Sequence, residues 1–131
     1  MAIVFRSRKR PKYGNKKVRA DGYVFDSLKE RDRYFQLRLM EKAGEIKALE
    51  VHPTYPFEIN GMLVSHYEGD FRYERPNADG TRTMVLEDVK SKPARRGKGK
   101  KRFSTRTETY RVKKKLMQAV YGITITEVDA G

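Results

Sequence analysis

Apolar positions along this chain follow two rhythms, one recurring every three to four residues and one alternating, and together they predict two helices flanking a block of strands. Ser27-Leu28-Lys29-Glu30 reads as a capping box that opens a helix over 27–43, stopped at Gly44. Leu28, Phe35, Leu39 and Ala43 form its expected main buried stripe, which Tyr34, Leu37 and Met40 widen. Gly22 to Asp26 is a short extended entry. After Gly44, extended segments are expected over 46–51, 55–59 and 62–67, with Asn60-Gly61 as a two-residue hairpin turn. Pro53 and Pro56 make the first hairpin strand irregular or an edge. Residues 69–73 continue the second hairpin strand or start another, and 77–80 form a turn. The run 81–90 becomes apolar at Met84, Val85 and Leu86, as a central strand does. Thr107 can cap a second helix with Val112, Leu116, Met117, Val120 and Tyr121 on its buried face and Gly122 at its end. Alternation over 123–128 supplies a last strand. The order is helix, three or four strands, helix, strand, an α/β arrangement with a mixed sheet.

Length and charge refine this outline. The 131 residues suit one compact domain, over 21–131, preceded by a basic arm over 1–20. The absence of cysteine excludes disulfides, thiolate zinc sites and cysteine nucleophiles, and fits a reducing cytoplasm. No apolar stretch is long enough for a signal peptide or membrane span, so a soluble, cytoplasmic protein without membrane contact is expected. The net charge is +13. Residues 1–20 hold eight cations and no acid, and 90–115 hold thirteen with the single acid Glu108, whereas the remaining residues are net acidic. An acidic core with basic attachments points to a polyanionic partner, DNA or RNA, gripped through phosphate contacts. The residues expected to make them are Arg8, Lys9, Arg10, Lys12, Lys16 and Lys17 in the arm, Arg95, Arg96, Lys98, Lys100, Lys101 and Arg102 in a mobile loop over 91–106, and Lys113 on the second helix. Tyr13, Tyr23, Phe103 and Tyr110 lie in or near these segments, where they can stack on bases or pack in the protein.

The candidate chemistry sits between Gly69 and Lys90. On an extended strand Asp88 and Lys90 project to one side and Val89 to the other. If Asp70 ends the neighbouring strand on that side, two carboxylates can hold a hard divalent cation through oxygen, with an ammonium beside it, a set suited to phosphodiester hydrolysis. The same alternation sends Glu87 to the opposite face, to the surface or a salt bridge. Asp70 after Gly69 can also be a turn residue, and Glu30 can serve only to close the Ser27 box. His52 and His66 are too few and too far apart in sequence to suggest a metal pair, and no role is expected for either. A Gly-rich phosphate loop, a Ser/His/Asp set and zinc-ligand spacing are all lacking. The rival expectation is a non-catalytic DNA- or RNA-binding protein in which Asp70, Asp88 and Lys90 form a structural ion-pair cluster.

An acid at the end of one strand, an acid-x-Lys on the next and this order of elements resemble the PD-(D/E)XK nuclease superfamily, with its restriction-endonuclease-like αβββαβ core, across roughly residues 20–128. More narrowly, Tyr13-Gly14-Asn15-Lys16, Gly22-x-x-Phe25-Asp26-Ser27-x-x-Glu30, Asp70-Phe71, Glu87-Asp88-Val89-Lys90 and Tyr121-Gly122 look like a small family of phage and prophage proteins long filed as a domain of unknown function. The resemblance implies Asp70 and Asp88 as the motif acids, Lys90 as the lysine and Glu30 as the acid on the first helix. The usual proline before the first acid is Gly69 here. It further implies a Mg²⁺ or Mn²⁺ ion held by Asp70, Asp88 and the Val89 carbonyl, with Glu30 as a direct or water-mediated ligand, and endonuclease action on DNA. Branched substrates such as Holliday junctions, duplex DNA and a two-fold homodimer follow from the same likeness.

Overall fold

The computed structural model describes residues 17–90 and 107–129. The expected mobile loop over 91–106, the arm up to residue 16 and eleven of the thirteen basic residues named above lie outside them, leaving Lys17 and Lys113.

Among the described residues, eight strands and two α-helices run in the order β1 (Val18–Ala20), β2 (Tyr23–Phe25), α1 (Leu28–Lys42), β3 (Lys47–Val51), β4 (Thr54–Ile59), β5 (Met62–Glu68), β6 (Phe71–Pro76), β7 (Arg82–Lys90), α2 (Glu108–Leu116) and β8 (Thr126–Asp129). The main sheet has the order β3-β6-β7-β8, antiparallel except for the parallel pair β7–β8. β4 and β5 form a separate hairpin inserted between β3 and β6, so the elements of the main sheet and its helices read αβββαβ. β7 is interior, as its apolar run predicts. β4 pairs only with β5 and shifts register between Phe57 and Glu58, the irregularity its prolines foreshadow. Val18–Ala20, expected in the basic arm over 1–20, pair antiparallel with Tyr23–Phe25.

Two apolar cores cover the two faces of the main sheet. Phe25, Tyr34, Leu37, Ile46, Phe71, Tyr73 and Val85 pack under α1, and Tyr55, Phe57, Tyr67, Leu86, Tyr110, Met117 and Ile125 pack beneath the hairpin and α2. Alternation along β7 divides its residues between them, Val85 to the first and Leu86 to the second. Among the described residues no helix is long and apolar enough to cross a membrane.

The buried faces of both helices match the apolar pattern in part: Tyr34, Leu37 and Met117 are buried as expected, and the rest of each face differs. α1 buries Glu30, Tyr34 and Leu37, spaced i, i+4, i+7, whereas Leu28, Phe35 and Leu39 of the expected stripe are exposed. The buried face contains polar groups that find partners: the Tyr34 hydroxyl donates to Asp21 at 2.9 Å, and Glu30 meets His52. A hydrophobicity count assigns Glu30 to solvent. In α2, capped by Thr107 accepting from the Tyr110 N–H at 3.1 Å, Tyr110 and Met117 are buried while Val112, Val120 and Tyr121 are exposed. The helix widens into a π turn over Met117–Tyr121, which shifts the phase of every later residue away from a 3.6-residue period. Gly122 then ends it in the left-handed conformation, as expected.

Candidate active site

The site gathers where β3, β6 and β7 meet the start of α1. Asp70 lies between β5 and β6. Its N–H donates to the Glu87 carbonyl at 3.1 Å and its Oδ2 accepts the Val89 N–H at 2.6 Å, which binds the first acid to the strand carrying the second. Asp88 and Lys90 share one face of β7 and are joined by Oδ1 and Nζ at 3.0 Å. The Tyr67 hydroxyl donates to Asp88 Oδ2 at 2.6 Å, and the Lys90 ammonium lies 3.4 Å above the centre of the Tyr110 ring. Val89 is thus tied to Asp70 through its amide N–H, whereas the resemblance assigns a role to its carbonyl.

Glu30 is more than a capping residue. Its N–H donates to Ser27 Oγ at 3.1 Å, the first half of the expected box, but its carboxylate does not return to Ser27. Oε2 instead accepts from the Asp26 N–H at 3.2 Å, while Oε1 sits 2.8 Å from His52 Nε2. His52 is therefore a site residue that sequence reasoning missed. Glu30, His52 and Asp70 each place one donor atom so that all three lie within 4.8 Å of one another, a group able to hold a metal ion. The His52 backbone is left-handed, at φ 56°, which costs a residue with a Cβ on the order of 1 kcal/mol. Its N–H donates to the Asp70 carbonyl at 2.9 Å, fixing histidine and aspartate to each other. The one local signal for this geometry was its place between the end of β3 and Pro53. His66 lies in the β4–β5 hairpin, opposite Pro56, and is not in this group.

Electrostatics agree with the geometry. Burial, followed by the Asp88 and Glu30 carboxylates, pushes the Asp70 carboxyl up to about 8, outweighing the Val89 N–H and Lys90. Glu30 is raised as well, chiefly by burial, against the lowering effect of the His52 and Asp26 bonds. Burial and then Asp88 hold the Tyr67 phenol well above its ordinary range, so it stays a donor. Asp88 is matched by Lys90. Glu30 and Asp70 are two further carboxylates beside an imidazole, a donor set and charge that suit a divalent cation.

Two contacts favour glycine at position 69, where the resemblance would place a proline. A Cβ there would come within 2.8 Å of Leu86 Cδ1 and 3.3 Å of Tyr67 Cε2, and the Gly69 N–H donates to the Pro53 carbonyl at 2.8 Å, a bond proline cannot make. Gly69→Ala is accordingly expected to destabilise the fold by about 1–3 kcal/mol. Urea denaturation will measure this, with Gly69→Pro costing more.

Glu87 faces away from Asp88, as alternation predicts, and of the two places expected for it takes the salt bridge, where it is buried. Its carboxylate takes two bonds from Arg33, Nε–Oε1 at 2.9 Å and Nη2–Oε2 at 2.6 Å, and a third from the Tyr73 hydroxyl. Of the basic residues expected to contact phosphates, Lys17 is exposed and precedes β1, and Lys113 is half-buried on α2.

A family model described as "Protein of unknown function (DUF1064)" matches residues 10–124. The chain belongs to this family. No curated protein and no solved structure matches it. The DUF1064 match spans every residue of the site, from Glu30 through His52 and Asp70 to Lys90, and includes the segment between Lys90 and Thr107.

Proposed function

We propose that this DUF1064 protein is a divalent-cation-dependent endodeoxyribonuclease of the PD-(D/E)XK type. The reading is carried by one observation, the convergence of Glu30, His52 and Asp70 beside the Asp88–Lys90 pair. Glu30, His52 and Asp70 would hold the cation. A bound cation would make a water acidic enough to attack and would neutralise charge gathering on the phosphoryl oxygens. Asp70 must give up its proton to serve, and the Val89 N–H stabilises its ionised form. Asp88, fixed by Tyr67, aims the Lys90 ammonium, and the Tyr110 ring supports it from beneath, so the cationic head can meet a phosphate oxygen. The cations concentrated in 1–20 and 90–115 of the sequence would hold the backbone without reading bases, which suits recognition of DNA shape and a branched substrate such as a four-way junction.

The imidazole distinguishes this site from an all-oxygen one. Imidazole suits later transition metals and magnesium prefers oxygen, so Mn²⁺ is expected to support faster cleavage than Mg²⁺, with His52→Asp shifting the preference toward Mg²⁺. The test uses supercoiled plasmid and a synthetic four-way junction with Mn²⁺, Mg²⁺ or EDTA, with Lys90→Ala and Asp88→Asn as controls. Metal-dependent cleavage lost in both variants supports the reading. DNA binding without it identifies the rival, a nucleic-acid binder in which the Asp88–Lys90 pair is structural. If linear duplex is cut as readily as the junction, preference for branches is refuted and the nuclease stands.

A further inference from the structure

The apolar residues that α1 leaves in solvent are regularly placed. Leu28, Asp32, Phe35, Leu39 and Lys42 are separated by four, three, four and three residues, which puts them on a single seam of the helix. All five are exposed, Leu39 to 67% and Leu28 to 56%. The seam lies opposite the side that turns Glu30, Tyr34 and Leu37 into the protein. Three large apolar side chains along one outer helix face are a feature of an interface rather than of a solvated surface.

The four residues Asp32, Phe35, Leu39 and Lys42 also read symmetrically. Turned end for end about a point near Leu37, Asp32 falls on Lys42 and Phe35 on Leu39. We propose that this face joins two copies of the chain as an antiparallel α1–α1 pair about a two-fold axis. Phe35 of each copy packs on Leu39 of the other, and Asp32 of each faces Lys42 of the other. Charge complementarity selects this occupant. The acid Asp32 in the seam repels a nucleic-acid backbone, whereas a second copy supplies a cation opposite each acid and an anion opposite each base. Among the described residues Asp32 pairs with its neighbour Arg31, at 3.1 Å and largely in solvent, a contact that exchanges easily for an intermolecular one.

A helix of fifteen residues is about 22 Å long, so one such pair covers less than a standard interface and the dimer should form in the micromolar range. Because Glu30 points to the other side of α1, pairing leaves both sites open, and the interface stands or falls independently of the nuclease reading.

Analytical ultracentrifugation across a concentration series tests the proposal. The full chain is expected to pass from monomer to dimer. Asp32→Lys and Lys42→Glu each set like charges against one another twice, and each should weaken association at least about tenfold with unchanged circular dichroism. An equimolar mixture of the two variants restores one native pair and one reversed pair, so it should form a heterodimer near wild-type affinity. A chain that stays monomeric at every concentration, a dimer indifferent to either substitution, or a mixture that fails to recover association would each overturn the proposal. The first of these outcomes would include the case in which residues 1–16 of the same chain cover the seam.

Discussion

Asp70→Asn is expected to abolish metal-dependent DNA cleavage while making the metal-free protein more stable at pH 8. The loss follows from removing one of three donors in the Glu30–His52–Asp70 group. It should reach at least about a hundredfold, since disturbing even the outer partners of a metal ligand costs 10–100-fold. The gain follows from linkage. Burial and the neighbouring acids raise the Asp70 carboxyl in the folded state to about 8, above its ordinary value near 3.8. Between those values the folded protein holds a proton that the unfolded chain has released, so this group makes stability fall as pH rises from about 4 to about 8. Above that range both states are ionised and the full penalty remains. Asparagine carries no charge and removes this contribution, so thermal melts in EDTA from pH 5 to pH 9 should show a flatter profile for the variant, with the two proteins diverging as pH increases. Added Mn²⁺ should stabilise the wild type and leave the variant nearly unmoved. If the variant keeps its activity, Asp70 is a turn residue and nothing more.

The sequence carried the main sheet and most of the acid–lysine geometry because both depend on local rules. Strand alternation places Asp88 with Lys90 and Glu87 across from them, the Ser27 cap starts α1, and Asn60-Gly61 turns the hairpin. Two kinds of information were out of reach. The first is which polar groups are buried with partners: Glu30 occupies the inner face of α1 because His52 receives it, and Tyr34, expected to be buried, does so with its hydroxyl bonded to Asp21, and both partners are distant in the chain. The second is backbone geometry that departs from a regular period. The left-handed turn at His52 brings its imidazole to Glu30, twenty-two residues earlier, and the π turn after Leu116 resets the face of the last helical residues. The same blindness gave α1 an apolar stripe on its outer side, a misplacement that becomes informative once the inner side is known.

Glu87 supplies the decisive contrast with Asp88, its neighbour in sequence. Arg33→Met is expected to destabilise the protein by about 3–5 kcal/mol, because it strands a carboxylate that is 1% exposed. A loss of that size should lower the melting temperature by roughly 10 °C or more. Tyr73 cannot compensate alone: burial, and then its bond to Glu87, hold its phenol up at about 12, so it donates one hydrogen bond and supplies no positive charge. Replacing the whole cluster, as Arg33→Met with Glu87→Leu and Tyr73→Phe, should recover most of the loss, since an apolar set of similar volume needs no desolvation of ions. Glu87→Gln alone should be destabilised yet, at a temperature where it is folded, cleave DNA within about tenfold of wild type, whereas Asp88→Asn should be stable and inactive. Opposite effects on folding and activity from adjacent carboxylates would separate the acid that holds α1 to the sheet from the acid that faces the substrate. Their reversal would move the reacting face to the α1 side of β7 and take Lys90 out of the mechanism.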